Sequence, residues 1–126
     1  VHILTAGNDM GTGAYTMIAM IAAETLGVPV EQVKVELGDS RFPDGGLAGG
    51  SQMTASIAPA VLKACQEVLK AANCSTATDA CTALRQSGRA AFEATASSAP
   101  DESARKWAFQ SWGAHFCEVM VDEALG

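Results

Sequence analysis

The sequence predicts an α+β fold, in which a small sheet of about three strands is covered on one face by two or three helices. Short stretches that favour strands are each followed by a glycine-rich loop, and then by a longer stretch with apolar residues at helical spacing. This order occurs twice, at Val1–Leu26 and at Val33–Ala72. A chain of 126 residues suffices for one modest core, so we expect residues 1–126 to form a single domain.

The first half of the chain predicts two strands and one helix. Val1–Thr5 alternates loosely between apolar and polar residues and leads into the first glycine loop. Apolar residues recur at helical spacing over Ala14–Leu26, after which Gly27 and then Pro29 end the helix. The regular alternation of Val33–Leu37 predicts the second strand.

The second half predicts two further helices and a last strand. A long helix begins within 51–56 and runs to about Ala72, with an apolar stripe along its length. Apolar residues between Ala80 and Phe92 predict a third helix, which Gly88 weakens at its centre. Trp112–Val121 carries apolar groups on both faces and predicts a strand that is buried on both sides.

The composition restricts the classes of partner. The net charge is −6 at pH 7, whereas nucleic acids and anionic membranes bind basic surfaces, so we expect neither as a partner. The sequence contains no signal peptide and no apolar run long enough to cross a bilayer. We therefore predict a cytoplasmic protein.

The cysteines argue against a metal site. They form no C-x-x-C pair, and only two histidines are present to add imidazole ligands. We expect the thiols to be reduced and mostly buried, and we assign no metal ligand. The cysteines are Cys65, Cys74, Cys81 and Cys117.

Two glycine-rich loops are the candidate binding elements. The first, Gly7–Gly13, precedes a helix and fits either an anion cradle of backbone N–H groups or a tight turn. Asp9 within it would repel phosphate unless its carboxylate bonds the backbone of the loop. The second loop, Gly45–Ser51, also opens a helix and is long for a simple connection. We expect both loops to form one concave surface for a large polar ligand.

Several motifs, in order along the chain, resemble the large subunit of the molybdenum hydroxylases, the xanthine dehydrogenase and aldehyde oxidase family. The matching stretches are Gly7–Thr16, Ala22–Pro29, Val33–Ser40, Gly49–Gln52 and Ser111–Val119. The resemblance covers residues 1–72 and 106–126, and it is poor over 73–105.

The resemblance implies a domain that binds molybdopterin, often extended as a cytosine dinucleotide. Enzymes of this family hydroxylate aldehydes, purines or N-heterocycles with oxygen taken from water. The residues that the resemblance assigns to the cofactor are Gly11, Thr12 and Gly13 on the molybdenum side, and Gly49, Gly50, Ser51 and Gln52 on the side of the pterin or its phosphate tail.

This sequence departs from the family pattern in two ways. Thr12 stands where many members carry glutamine. A threonine at this position resembles the aldehyde-oxidoreductase branch of the family. This branch makes the periplasm an alternative location to the cytoplasm. The catalytic glutamate of the family lies in a Gly-x-Gly-Glu context that is missing here, and Glu118 does not match it. We therefore assign no catalytic residue. Because the chain starts within an apolar run and ends after a strand-like run, we expect a piece of a larger subunit that is not catalytic alone.

Two other hypotheses stay open at this point. One is a non-catalytic structural or interaction module that has kept the fold, binds no cofactor as an isolated chain, and forms a homodimer through the exposed edge of its C-terminal strand. The other is a small protein that binds a different pterin or a nucleotide.

Overall fold

The computed structural model describes residues 1–100, 102, 106–107 and 112–125 of the chain. These residues form an α+β fold, as the sequence predicts. Its elements are β1 (His2–Thr5), α1 (Ala14–Leu26), a 3-10 turn (Val30–Gln32), β2 (Lys34–Leu37), α2 (Met53–Ala72) and α3 (Ala77–Ser87).

The sheet has two parallel strands among the described residues, with His2 opposite Lys34 and Thr5 opposite Leu37. Parallel neighbours need a crossover connection, and α1 supplies it. On one face of the sheet, the side chain of Ile3 and the apolar side chains of β2 pack against the core. The helices therefore cover one face, as predicted, and both strands end at the same edge.

The opposite face of the sheet is polar except for Leu4, which is 39% exposed. The Glu36 Oε1 atom pairs with the Nε2 atom of His2 across the strands at 3.0 Å and also with the Lys34 ammonium. The hydrogen bond from Lys34 is the main cause that holds the pKa of Glu36 below its ordinary value. All three side chains are substantially exposed, so this face has the charged character of a solvent-facing surface.

The core lies between α1 and α2. Ile18 of α1 is completely buried, and Ile57, Val61 and Cys65 of α2 belong to the same cluster. α1 ends at Gly27, whose left-handed backbone (φ 66°) directs its N–H to the carbonyl groups of the last turn. The predicted bounds of this helix are therefore confirmed, because amphipathic spacing and a glycine cap agree.

The third helix is shorter than predicted. Gly88 adopts φ 67° and forms the C-cap of α3, so this glycine ends the helix and is not at its centre. Thr76 caps the other end by accepting a hydrogen bond from the Asp79 N–H at 3.2 Å. Phe92 lies beyond the helix, where Arg89 stacks over its ring at 4.8 Å from the ring centroid.

The prediction of a third strand over Trp112–Val121 is wrong. This segment has neither helical nor strand structure in the described residues, and Ser111 before it lies outside them. Trp112, Phe116 and Met120 are 88%, 96% and 95% exposed, respectively. A strand exists only where another strand accepts its hydrogen bonds, and alternation in the sequence cannot supply that partner.

The cysteines are all free, as expected, but fewer of them are buried than the sequence predicts. Cys65 is buried, and this burial raises the pKa of its thiol. Cys74 is half-buried, whereas Cys81 and Cys117 are exposed, because α3 and residues 112–121 contribute little to the core. Within the described part of the chain, no helix is both long and apolar enough to cross a membrane.

The buried centre of α1 gives a direct test of the core. We expect Ile18→Ala to lower the free energy of unfolding by about 2–5 kcal/mol, because it removes a fully enclosed side chain and leaves a cavity. Met20→Ala on the same helix is the matched control, since Met20 is 60% exposed. Urea denaturation followed by circular dichroism measures both; equal losses would contradict this position of the core.

Candidate functional site

Both glycine loops leave the sheet at the same edge. The first loop, Gly7–Gly13, is separated from the end of β1 by one residue, and the second loop, Gly45–Ser51, lies in the longer connection, residues 38–52, that follows β2. Because the strands are parallel, their carboxyl ends adjoin, and ligands of open α/β sheets bind at such an edge. The structure therefore brings together the starts of the two loops that the sequence singled out.

The two loops touch through glycine backbone. A Cβ atom at Gly45 would lie 2.2 Å from the N atom and 2.3 Å from the Cα atom of Gly7. The Ala6 N–H donates to the Pro43 carbonyl at 2.7 Å, and the Gly7 N–H donates to the Thr5 Oγ1 at 3.3 Å. Only glycine fits at Gly45, and this contact fixes the relative position of the two loops.

Asp9 organises the rest of the first loop. Its Oδ1 atom accepts the N–H groups of Gly11 at 2.8 Å, Thr12 at 2.8 Å and Gly13 at 3.2 Å. Its Oδ2 atom accepts the N–H of Tyr15, in the first turn of α1, at 3.4 Å. The carboxylate thus bonds the backbone of its own loop and occupies N–H groups that a phosphate could otherwise use.

These bonds change what the first loop offers to a ligand. Partial desolvation acts to raise the pKa of Asp9, but the four backbone N–H bonds together hold it below its ordinary value. The carboxylate therefore stays ionised, and the amides of residues 11–13 are already engaged. The N–H groups of residues 11–13 therefore do not face a ligand as free donors, and the hydroxyl of the exposed Thr12 also donates to the Asp9 Oδ1, at 3.4 Å.

The second loop has fewer hydrogen bonds from its backbone N–H groups to side chains than the first loop has. Asp44 accepts the Gly46 N–H at 2.9 Å near the start of the glycine-rich part. Gly50 and Ser51 then adopt left-handed backbone, with φ 59° and 56°. Gln52 occupies the N-cap of α2, yet no side chain caps this helix and its first turn holds no acidic residue. The N-terminus of α2 consequently has no carboxylate of the kind that Asp9 provides for α1.

The helices run in the same general direction from this edge. Near the loops, an added Cβ at Gly7 would lie 2.7 Å from the Ile57 Cδ1 atom in the second turn of α2. At the other end, Gly27 at the C-cap of α1 would approach Thr76, just beyond α2, at 4.0 Å. Both helix N-termini therefore lie on the side of the loops, where their positive dipole ends favour anions.

The predicted cofactor residues form an open surface. Gly11, Thr12 and Gly13, like Gly50, Ser51 and Gln52, are exposed, and Gly49 is half-buried. Among the described residues, no hydrogen bond joins 11–13 to 49–52. Most of these residues therefore face solvent.

Two grooves lie away from these residues. One of about 650 Å³ runs between α1 and α2 and is lined by Ile21, Pro59 and Leu62, among others. The other, of about 300 Å³, lies beside Tyr15 and Val35. Neither is lined by a residue that the sequence assigned to the cofactor. Within the described ranges, no cluster of three or more metal-ligating side chains is present.

One feature of this site has a local signal in the sequence and another has none. Asp9 lies two residues before a glycine, which is a recognisable turn-forming signal, and its carboxylate bonds the loop backbone, the alternative to repulsion that the sequence left open. The contact between Gly7 and Gly45 has no local signal, because the two residues are 38 positions apart. Only the paired strands bring them together.

The glycine contact predicts a strong effect of one methyl group. We expect Gly45→Ala to destabilise the fold by about 1–3 kcal/mol or more, because its Cβ would collide with backbone atoms that cannot move independently. Gly49→Ala is the matched control, since its Cβ would meet only the Leu47 side chain at 3.6 Å. Thermal unfolding measures both variants, and a Gly45→Ala protein as stable as the control would refute the contact.

Comparisons with known proteins show to which family the chain belongs. The sequence model of a family described as the molybdopterin cofactor-binding domain matches residues 1–126. The chain is 48% identical over 67 residues to the aldehyde oxidoreductase molybdenum-binding subunit PaoC of Escherichia coli strain K12, and equally to PaoC of Escherichia coli O157:H7. The match covers 50% of this chain and 9% of each relative. No solved structure matches the chain. The match along the whole chain shows that this protein belongs to the molybdopterin cofactor-binding domain family.

Proposed function

We propose that this chain forms part of the cofactor-binding surface of a molybdenum hydroxylase of the aldehyde oxidoreductase type, and that it is not catalytic alone. The observation that carries the proposal is the placement of two glycine loops at one sheet edge, fixed against each other at Gly7 and Gly45. The family match supports molybdopterin as the ligand, and we assign it to this edge. The similarity to the PaoC proteins supports an aldehyde as the class of substrate.

The second loop is the better site for the anionic part of the cofactor. The N-terminus of α2 has no capping side chain, and Ser51 and Gln52 stand exposed beside it. A phosphate group or the pyrophosphate of a cytosine dinucleotide would receive N–H and hydroxyl donors there. Gly49 and Gly50 would allow the ligand to approach the backbone closely.

The first loop would contribute a neutral hydroxyl. The N–H donors of residues 11–13 are held by Asp9, and the exposed Thr12 hydroxyl, which donates to the Asp9 Oδ1 at 3.4 Å, would turn from Asp9 to reach a ligand. Gly11 and Gly13 bear no side chain that would block this approach, because an added Cβ at either position would meet no atom within 4 Å. When bound, the cofactor supplies the molybdenum centre at which water oxygen is transferred to the substrate.

The chain itself supplies binding and orientation. The sequence has no Gly-x-Gly-Glu segment, and the open surface described above leaves most of a large cofactor uncovered. We infer that other segments of a longer subunit complete the pocket and carry the catalytic base. The match to only 9% of the PaoC length supports this inference.

A matched pair of glycine variants tests cofactor binding. Gly50 and Gly88 both have left-handed backbone, with φ 59° and 67°, and an added Cβ at either would meet no atom within 4 Å. Alanine should therefore strain both positions equally, by about 1 kcal/mol. We expect Gly50→Ala to reduce the molybdopterin retained after gel filtration by about tenfold, equivalent to about 1.4 kcal/mol, while Gly88→Ala retains the wild-type amount.

Pterin fluorescence and molybdenum analysis by mass spectrometry measure the retained cofactor. Wild-type protein that retains no more cofactor than an unrelated protein of similar charge would contradict binding by this chain. Equal retention by the two variants would show that the second loop is not the site.

A second candidate function is assembly through the C-terminal segment, defined as residues 112–121. We propose that this segment pairs with the open sheet edge of a second copy and so forms a homodimer. The exposure of Trp112, Phe116 and Met120 favours it, because these large apolar side chains gain most from being covered. Among the described residues, β1 and β2 also each have one side without a hydrogen-bonded partner strand, and such a side can accept a strand.

Light scattering during gel filtration tests the dimer. We expect the wild-type chain to elute as a dimer, and Phe116→Glu to shift it to the monomer, because a charge would then face the buried side of the pairing. Leu125→Glu is the control, since Leu125 is also exposed but lies outside the segment. A wild-type chain that is entirely monomeric at high concentration would exclude this assembly.

A further inference from the structure

We propose that the carboxylate of Asp9 acts as an internal anion, which preforms the first loop and excludes phosphate from it. Asp9 is thus a positioning residue that makes the two glycine loops chemically unequal. As a statement about a cofactor loop this rests on the proposed function, but the shape and selectivity of the loop can be measured without the cofactor.

The geometry is that of an anion in a backbone nest. Gly11 and Gly13 have left-handed backbone, with φ 99° and 79°, and Thr12 lies between them. Such alternation turns successive N–H groups toward a single point, where an anion normally binds. Here that point is occupied by the Asp9 Oδ1 atom, which accepts the N–H groups of residues 11, 12 and 13 within 3.2 Å.

The same carboxylate also reaches the helix. Its Oδ2 atom accepts the Tyr15 N–H at 3.4 Å, and its Oδ1 atom lies 3.4 Å from the Thr12 hydroxyl oxygen. Asp9 therefore takes the position that an external phosphate would occupy at the N-terminus of α1. A phosphate that approached would meet a negative charge in place of free donors.

Asp9 is the charged residue of the first loop, and no described basic side chain pairs with it. In the described part of the chain, no lysine, arginine or histidine forms an ion pair with it, and its bonds come from backbone N–H groups and one hydroxyl. The titratable residue on α1 that bonds to it is Tyr15, through its backbone. Asp39, by contrast, is paired with the Arg41 guanidinium.

This contrast provides a control for the experiment. Asp9→Ala and Asp39→Ala each remove one negative charge from a loop at the same sheet edge, but only the first frees the nest. Inorganic phosphate is titrated into each protein while the amide signals of residues 11–13 are followed by nuclear magnetic resonance. We expect Asp9→Ala to bind phosphate at these amides at least about tenfold more tightly than the wild type or Asp39→Ala.

A second variant keeps the test decisive if Asp9→Ala fails to fold. Asp9→Asn retains an oxygen that accepts N–H groups but cannot titrate. The ionised carboxylate holds the loop fully above the ordinary aspartate pKa of about 3.9, and this contribution is lost as the pH falls through the lowered pKa of the folded protein. Hydrogen exchange at residues 11–13, corrected for intrinsic rates, should therefore lose protection on acidification in the wild type but not in Asp9→Asn.

The outcomes separate this proposal from cofactor binding. Equal phosphate binding by the wild type and Asp9→Ala, or the same pH profile of protection in the wild type and Asp9→Asn, would overturn the role of Asp9. Either result would leave molybdopterin retention by the second loop unaffected. Loss of cofactor retention with the predicted phosphate response would instead refute the proposed function alone.

Discussion

Where the two loops leave the carboxyl ends of β1 and β2, the backbones of Gly7 and Gly45 approach so closely that Gly45 has no space for a methyl group. This approach is possible because β1 and β2 are parallel and end side by side. Ile57 packs against the same point from α2, so the loop contact is continuous with the hydrophobic core. The position of the candidate site therefore depends on the packing of the fold, and a change in the sheet register would separate the loops.

The fold was predictable where local signals and tertiary packing agree. The bounds of α1 follow from its apolar spacing and from Gly27, and the alternation of Val33–Leu37 marks β2 to within one residue. The same reasoning failed for Trp112–Val121, since alternation describes the faces of a strand but not its hydrogen-bond partner. Gly88 was misplaced because a glycine within an apolar pattern can interrupt a helix or end it, and only its φ value distinguishes the two.

The candidate site was predictable as a pair of loops but not as an arrangement of donors. Glycine spacing marks where the backbone can turn, and this was sufficient to find both loops. Which N–H groups remain available depends on the orientation of nearby side chains. Asp9 closes the first loop with its own carboxylate, whereas Gln52 leaves the N-terminus of α2 without a side-chain cap. The two loops therefore look alike in sequence and differ in charge and in hydrogen bonding.

Ser51 shows what this arrangement requires of the chain. Its left-handed backbone (φ 56°) disfavours any residue with a Cβ by about 1 kcal/mol, and the preceding Gly50 avoids that cost. A sequence selected for stability alone would place glycine or asparagine at this position. The serine instead sets a hydroxyl beside the uncapped start of α2, so local strain accompanies a donor that glycine cannot provide.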